Sequence, residues 1–462
     1  MIENILYTLS ESSLIASVIG VLMSALFSQE GKKTCFKIAE AGILVSAFFA
    51  LLFYNKTFLE GFFTASWQTT LTYCLCALFA VCWLWLSSKW FVKQDASSTR
   101  FCVLALLLMF LLSLIIKTTN VLVLFCCLAL SGLTQYALLK TSTSSEGLYH
   151  YAVKYLFSAL VCLVFWGCAF YFLGAGSYDY NTLAAFVQTQ SSFKAAWIVL
   201  SLFCCMLFFI GAAPFHFWYA DAVSASDLPV GSYFALVPNI AFWSVFLSLY
   251  DKVFMPFAQN LKPIFVVFGC LSIVLGAIGA NATRFIRKIF SFVYLYQLGV
   301  ALLVLSTFRA QSAFATYIYM EVYLFLMIGV YVCLFGMRLN GEHINNLSFL
   351  KGYAFMRPYV SATLVFYILS LTGLPPFIGF ISQFFMLFNV YQSLWLLYLI
   401  LAGFLMLLPA YFRIIQTIYF FKKGYHFDRV EFGLYIALIV HIVFVSVLAV
   451  KPNFFMIQAS LF

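Results

Sequence analysis

Apolar runs long enough to span about 30 Å of hydrocarbon recur through this sequence from one end to the other. In lipid every backbone N–H and C=O must find an internal partner, so only helices and closed barrels span, and runs near twenty residues select helices. Fourteen spans are read, near 11–28, 38–54, 67–88, 101–116, 119–139, 151–174, 193–218, 229–250, 263–280, 288–307, 314–336, 358–388, 392–420 and 432–450. Composition agrees. Hydrophobic residues make up 65% of the 462 and charged residues 9%, against about half and a quarter in a soluble domain. The expectation is an all-α polytopic protein, one membrane domain over residues 1–462.

Charge orients it. Of 25 Lys and Arg, 17 fall in or beside the loops after odd-numbered spans, 7 fall on the opposite side with the termini, and Arg413 lies inside a span. Positive loops stay where insertion begins, so both termini are expected on the other side. The net charge of +10 therefore calls for no nucleic acid, and no helix-turn-helix, RRM or zinc-finger pattern surrounds the basic residues. Phospholipids, anionic ones included, are the expected local partners. The 13 cysteines are scattered, as in Cys126-Cys127 and Cys204-Cys205, without a CxxC. Neither a metal nor an iron–sulfur cluster has support, and the thiols read as small hydrophobes. The N-terminal stretch MIENILYTLSESS is acidic and lacks an Arg-rich presequence, and 56 Phe suit an AT-rich organellar genome. Both point to the mitochondrial inner membrane, with a bacterial plasma membrane as the alternative.

Two spans carry proline where a helix interior should not. One reads Gly211-Ala212-Ala213-Pro214-Phe215-His216, the other Gly373-Leu374-Pro375-Pro376-Phe377-Ile378-Gly379. Proline removes a donor and clashes with the carbonyl four residues back, here Ile210 and Thr372. In lipid that carbonyl needs a protein or water partner, so each segment is either a broken helix facing the interior or a simple kink. Both read G-x-x-P-F, in the seventh and twelfth spans. A separation of five spans inverts the second copy, which predicts two inverted five-helix repeats, each with a broken helix. Their expected bounds are 101–250 and 263–420, after N-terminal helices in 1–100 and before a C-terminal helix in 421–462.

At these residues the chain resembles the antiporter-like subunits of respiratory complex I, the subunit-2 branch most closely. Gly211 to Val230, GAAPFHFWYADAVSASDLPV, is similar without a gap to the pattern GAAPFHxWxPDVYEGxPTPV. GLPPFIGF resembles the second broken-helix motif, Gly299 the glycine closing RLLAYSSIxHxG, and Arg413 in AYFRII the AYYYLRII segment. The resemblance covers roughly residues 120–420. It implies a membrane-arm subunit of an H⁺-translocating NADH:ubiquinone reductase, with other membrane-arm subunits as partners. It also implies that flavin, iron–sulfur clusters and quinone are held by other subunits, so this chain has no cofactor and no catalytic redox site. No Rossmann fingerprint or P-loop speaks against that.

Ionisable groups inside a membrane mark ion or proton paths by default. The resemblance places the family's carriers at a Glu in span five and at Lys in spans seven, eight and twelve. Here those positions hold Ala129, Phe209, Asn239 and Gln383, and Gln297 stands at the central histidine of span ten. None of these takes up and releases a proton near neutral pH. The leading expectation is thus a largely structural, assembly-supporting subunit with a degenerate proton path. A rerouted path through Glu321 and His216 is the second expectation, and a cation/proton antiporter subunit outside complex I the third. Glu321 either carries protons or pairs with a neighbouring subunit. His216 is either a relay or a packing residue. Arg413 either binds a partner carboxylate or snorkels. His441, Asp221 and Lys154 read as structural or solvated.

Overall fold

The computed structural model describes residues 8–450 apart from 28–30, 55, 59–60, 94–97, 143–145, 175–177 and 422–424. Its helices in chain order are α1 (Leu9–Phe27), α2 (Gly31–Leu52), α3 (Trp67–Lys93), α4 (Ser98–Lys117), α5 (Val121–Leu139), α6 (Glu146–Leu173), α7 (Tyr180–Thr189), α8 (Ser192–Ile210), α9 (Tyr219–Ala225), α10 (Leu228–Leu249) and α11 (Ala258–Ala282). They continue with α12 (Ile286–Leu305), α13 (Ala310–Gly336), α14 (Pro358–Leu371), α15 (Ile378–Val390), α16 (Leu394–Tyr419) and α17 (Phe432–Val450). Among the described residues twelve helical stretches are long and apolar enough to cross a membrane. One of them, Leu228–Ala282, holds both α10 and α11, and the shorter apolar helices α14 and α15 divide one further span between them. The fourteen spans read from sequence are therefore α1–α6, α8, α10–α13, the pair α14–α15, α16 and α17. The chain is a multi-pass, all-α membrane protein.

The sequence reading missed three local features. The second helix begins at Gly31 rather than 38, because its first turns carry Lys33 and Lys37 and fall outside an apolar window. The connection before span seven holds α7, whose buried side is Leu183, Ala184 and Val187 and whose Thr182 Oγ1 accepts from the Asp179 N–H (2.8 Å). Two loops fold into antiparallel pairs, β1 (Lys56–Phe58) with β2 (Phe63–Ala65) and β3 (Arg338–Leu339) with β4 (Glu342–His343). A loop at a membrane surface still has to bond its backbone, and short ladders do so.

Among the described residues the chain forms two compact units. Unit 1 comprises those up to Ile210 and Ala225–Phe257, and unit 2 comprises Gly211–Ser224 and those from Ala258 onward. In unit 1 the loops after spans two, four and six meet. Thr119 N–H donates to Phe62 O (3.0 Å), Val121 N–H to Tyr178 O (3.0 Å) and Tyr180 N–H to Thr119 O (3.1 Å). Loops after spans five and seven meet where Asp227 N–H donates to Ser142 Oγ (2.6 Å). In unit 2 the loops after spans nine, eleven and thirteen meet through Leu347 N–H to Arg284 O (2.9 Å) and Gly352 N–H to Thr417 O (3.3 Å). Those after ten and twelve meet through Arg309 Nη1 to Asn389 O (3.1 Å). Within each unit odd and even loops sort apart, as alternating spans require. The side chain of Lys32, and Lys422 and Lys423, on which the orientation partly rests, lie outside the described residues.

Without a hydrophobic force between helices in lipid, close approach at small residues holds them together. The α11–α12 hairpin shows this. A Cβ on Gly299 would stand 2.7 Å from both Gly269 O and Ile273 N, closer than real Cβ contacts allow. Gly299 is glycine because the two backbones touch there.

The β3–β4 hairpin carries a pH-sensitive group. The His343 ring lies tilted against Phe335 (4.6 Å), and the Arg338 guanidinium lies over the Phe335 ring (5.2 Å). Burial, then the positive charges of Arg338 and Arg287, hold the His343 imidazole well below the ordinary histidine value. A depressed folded value means the stabilisation is complete above about pH 6.5 and falls as pH drops further. Amide hydrogen exchange across 338–343 is expected to speed up between pH 7.5 and 5.5 beyond its intrinsic pH trend. In His343→Gln that extra acceleration should disappear.

Candidate functional site

Both proline segments are true interruptions. α8 stops at Ile210, Gly211 has φ +77°, and a single 3₁₀ turn, Phe215–Trp218, leads into α9. The freed backbone is bonded from outside the helix, with Ala213 N–H donating to Ser272 Oγ (3.0 Å). α14 stops at Leu371, Gly373 has φ +67°, and α15 restarts at Ile378. Here the break is closed by side chains. Gln383 Nε2 donates to Leu371 O (3.1 Å), and Gly379 N–H donates to Ser370 Oγ (3.2 Å). Gln383 thus serves as a polar clamp on the break.

In unit 1 the positions expected to carry protons are filled by packing. Phe209 is 2% exposed and its ring lies 5.4 Å from Phe208 and 5.3 Å from Phe242. Its Cε1 would stand 3.8 Å from a Cβ on Gly132, one turn beyond Ala129 on α5. Near them Tyr155 donates to Gln135 Oε1 (3.2 Å). Asn239 is buried in α10 and its Nδ2 donates to Ala235 O (2.5 Å), a bond within its own helix. The Phe209 ring thus packs against two further phenyl rings, from α8 and α10.

Unit 2 holds the remaining candidates. Glu321 is buried on α13, and its Oε1 makes no hydrogen bond among the described residues. Tyr319 donates to Gln297 Oε1. His216 is half-buried in the 3₁₀ turn, and its carbonyl accepts from Tyr219 N–H. Arg413 lies near the end of α16 and is partly buried. Its guanidinium donates to Ala280 O (2.8 Å), Asn281 O (2.7 Å) and Thr283 O (2.7 Å), capping the C-terminal carbonyls of α11. A cation suits that negative dipole end. His441 Nδ1 shares a hydrogen bond with Tyr367 Oη (2.8 Å), and Asp221 pairs with Lys288 (2.6 Å).

Sequence reasoning missed one site. Lys117 Nζ lies 2.6 Å from Glu11 Oε1, and the two side chains are 2% and 7% exposed. Ser10 Oγ donates to Glu11 Oε2 (2.6 Å), Ser113 Oγ donates to Glu11 Oε1 (3.3 Å), and Lys117 also donates to Ser10 Oγ (2.9 Å) and stands over the Tyr73 ring (5.3 Å). Each residue sits at a span end, where sequence alone assigns it to the headgroups. Among the described residues no three His, Cys, Asp or Glu side chains gather to hold a metal ion.

Residues 118–408 match the model of the family described as NADH:quinone oxidoreductase/Mrp antiporter, transmembrane. The match covers more than half of the chain. This chain belongs to that family. Among its relatives, NADH-quinone oxidoreductase subunit N of Pelagibacter ubique is 26% identical over 322 residues, covering 68% of this chain and 67% of the relative. Subunit N of Rhodospirillum rubrum is 24% identical over 356 residues, covering 75% and 72%. Two solved structures share the fold. One is a chain of respiratory complex I from Thermus thermophilus with bound aureothin, with TM-score 0.80, 20% identity and 96% and 97% coverage. The other belongs to an archaeal membrane-bound sulfane sulfur reductase, with TM-score 0.85, 17% identity and 98% and 96% coverage. Glu11 and Lys117 lie outside the residues that match the family.

Proposed function

We propose that this chain is an antiporter-like subunit in the membrane arm of a proton-translocating NADH:ubiquinone oxidoreductase in the mitochondrial inner membrane. Its family carrier positions no longer conduct, and its role is largely structural. Phe209 carries this reading: a packed phenyl ring stands where the family pattern has a lysine, and it offers a proton neither a site nor a hydrated route. The wider assignment draws support from the subunit N relatives, and the organelle from the Phe-rich sequence. Other membrane-arm subunits and phospholipids are its partners. Flavin, iron–sulfur clusters and quinone belong to other chains of the complex, and this chain contributes two inverted five-helix repeats with a break in each.

After mild solubilisation, the chain is expected to comigrate on native gels with flavin- and iron–sulfur-containing NADH dehydrogenase activity from the mitochondrial fraction. Migration as a free antiporter, without those groups, would refute the assignment. A second reading is favoured by Glu321, a buried carboxyl bonded to Tyr317 whose Oε1 makes no hydrogen bond among the described residues. If protons cross there, Glu321→Gln lowers proton-to-electron stoichiometry in the intact complex; the structural reading expects no change.

A further inference from the structure

Unit 1 carries two carboxyls on its first two helices and treats them differently. Glu11 is buried against Lys117, Ser10 and Ser113, so its charge is met inside the fold. Glu40 lies on α2 with about 14 Å of helix before it and about 18 Å after it at 1.5 Å per residue, near the middle of the span. It is half-buried, and among the described residues its carboxyl makes no hydrogen bond. Lys37, one turn back, stands within electrostatic range but forms no ion pair with it. A carboxyl at that depth is costly, and in either protonation state it calls for a polar partner. Lipid chains supply none.

The packing of α2 shows from which side a partner can come. A Cβ on Gly42 would collide with Ser17, so one side of α2 is closed by α1. Another is closed by α3 and α4: Ser46 bonds Tyr73, and the Phe36 ring lies 5.7 Å from Phe91 and 6.3 Å from Phe101. The remaining face carries Lys37, Glu40, Leu44 and Phe48, spaced by three and four residues. Leu44 and Phe48 are exposed, and so is a stripe on α3 made of Leu78, Cys82 and Trp85. Cys82 stands within electrostatic range of Glu40, which places the carboxyl on the α3 side, in a groove between two apolar ridges. Both helices precede residue 118, where the family match begins.

We propose that the α2–α3 groove docks a membrane-spanning helix of another polypeptide, whose basic side chain meets Glu40 at mid-span. Charge selects the partner. A carboxylate in hydrocarbon is best matched by Lys or Arg, and a basic residue at the same depth is itself too costly to face lipid, so each removes the other's penalty. The exposed Leu44, Phe48, Leu78 and Trp85 give the rest of that helix an apolar bed along the groove. Lys37 does not fill the role: it is exposed and a turn nearer the surface, where its long stem reaches headgroups. The inference needs only the membrane-embedded fold, so it stands apart from the assignment to complex I.

Photocrosslinking of the full chain in its native membrane tests it. The photoreactive residue p-benzoylphenylalanine is placed at Leu44 or Leu78 and, as a control, at Phe157, an exposed residue on α6. The groove positions are expected to capture an apolar span of another polypeptide, with Lys or Arg within about two turns of the crosslinked residue by mass spectrometry. Glu40→Gln keeps the shape and removes the charge. It should lower that adduct several-fold while the Phe157 adducts and the amount of folded chain on native gels stay as in the parent. Where Glu40→Gln depletes the chain itself, the reciprocal change decides: replacing the captured basic residue by Met must lower the Leu44 adduct by a similar factor. Adducts with lipid alone, with a second copy of this chain or with a span lacking a basic residue would overturn the docking surface. So would a yield indifferent to both charges.

Discussion

Lys117→Met is expected to deplete the folded subunit from the membrane by an order of magnitude or more. The substitution strands the Glu11 carboxylate among Ser10, Ser113 and Tyr73 with its ammonium partner gone. Breaking a buried pair from one side costs about 3–5 kcal/mol, because the remaining charge is uncompensated. The pair joins α1 to α4, so the loss loosens the first helix from its unit. Replacing both partners, Glu11→Leu with Lys117→Met, removes the stranded charge, and Met keeps a favourable contact with the Tyr73 ring. The double variant should therefore recover most of the lost subunit on native gels. A single variant as abundant as the parent chain would show that the pair contributes nothing to folding.

Gly379→Ala should be nearly as damaging, for a steric reason. A Cβ at Gly379 would stand 1.7 Å from Ser370 O and 2.7 Å from its carbonyl carbon, so backbone rather than a flexible side chain would have to move. Overpacking usually costs about 1–3 kcal/mol and occasionally more, and a collision with backbone belongs at the upper end. The Gly379–Ser370 and Gln383–Leu371 bonds that close the break would be lost together. Gly167→Ala is the control: its Cβ would meet only Phe125 at 3.7 Å, an ordinary contact. Assembled protein is expected to fall sharply for Gly379→Ala and to hold steady for Gly167→Ala. Equal yields would mean that α14 and α15 can shift apart freely.

The spans were legible because a membrane helix must be continuous and apolar, and the breaks because proline inside such a run has few other meanings. How each break is closed was not legible. Gln383 stands ten residues beyond Gly373, and only the turn at Pro375-Pro376 brings its amide back to Leu371. Glu11 and Lys117 are 106 residues apart and lie at span ends, where charge is ordinary; helix packing alone makes them partners. The carbonyls to which Arg413 donates belong to a helix end whose position the sequence does not give. The replacements at Ala129, Phe209 and Asn239 were readable one by one. That the Phe209 ring packs against Phe208 and Phe242 needed the fold.

The proposed loss of the carrier route is most directly tested by the proton-to-electron stoichiometry of NADH oxidation in coupled membranes carrying Asn239→Ala. Asn239 Nδ2 donates to Ala235 O of its own helix, and the comparison is made in fully assembled complex. On the proposal that the carrier route is interrupted at Phe209, the stoichiometry is expected to equal that of the parent complex. A lower value in fully assembled Asn239→Ala complex would mean that protons still pass the family's carrier positions in this chain.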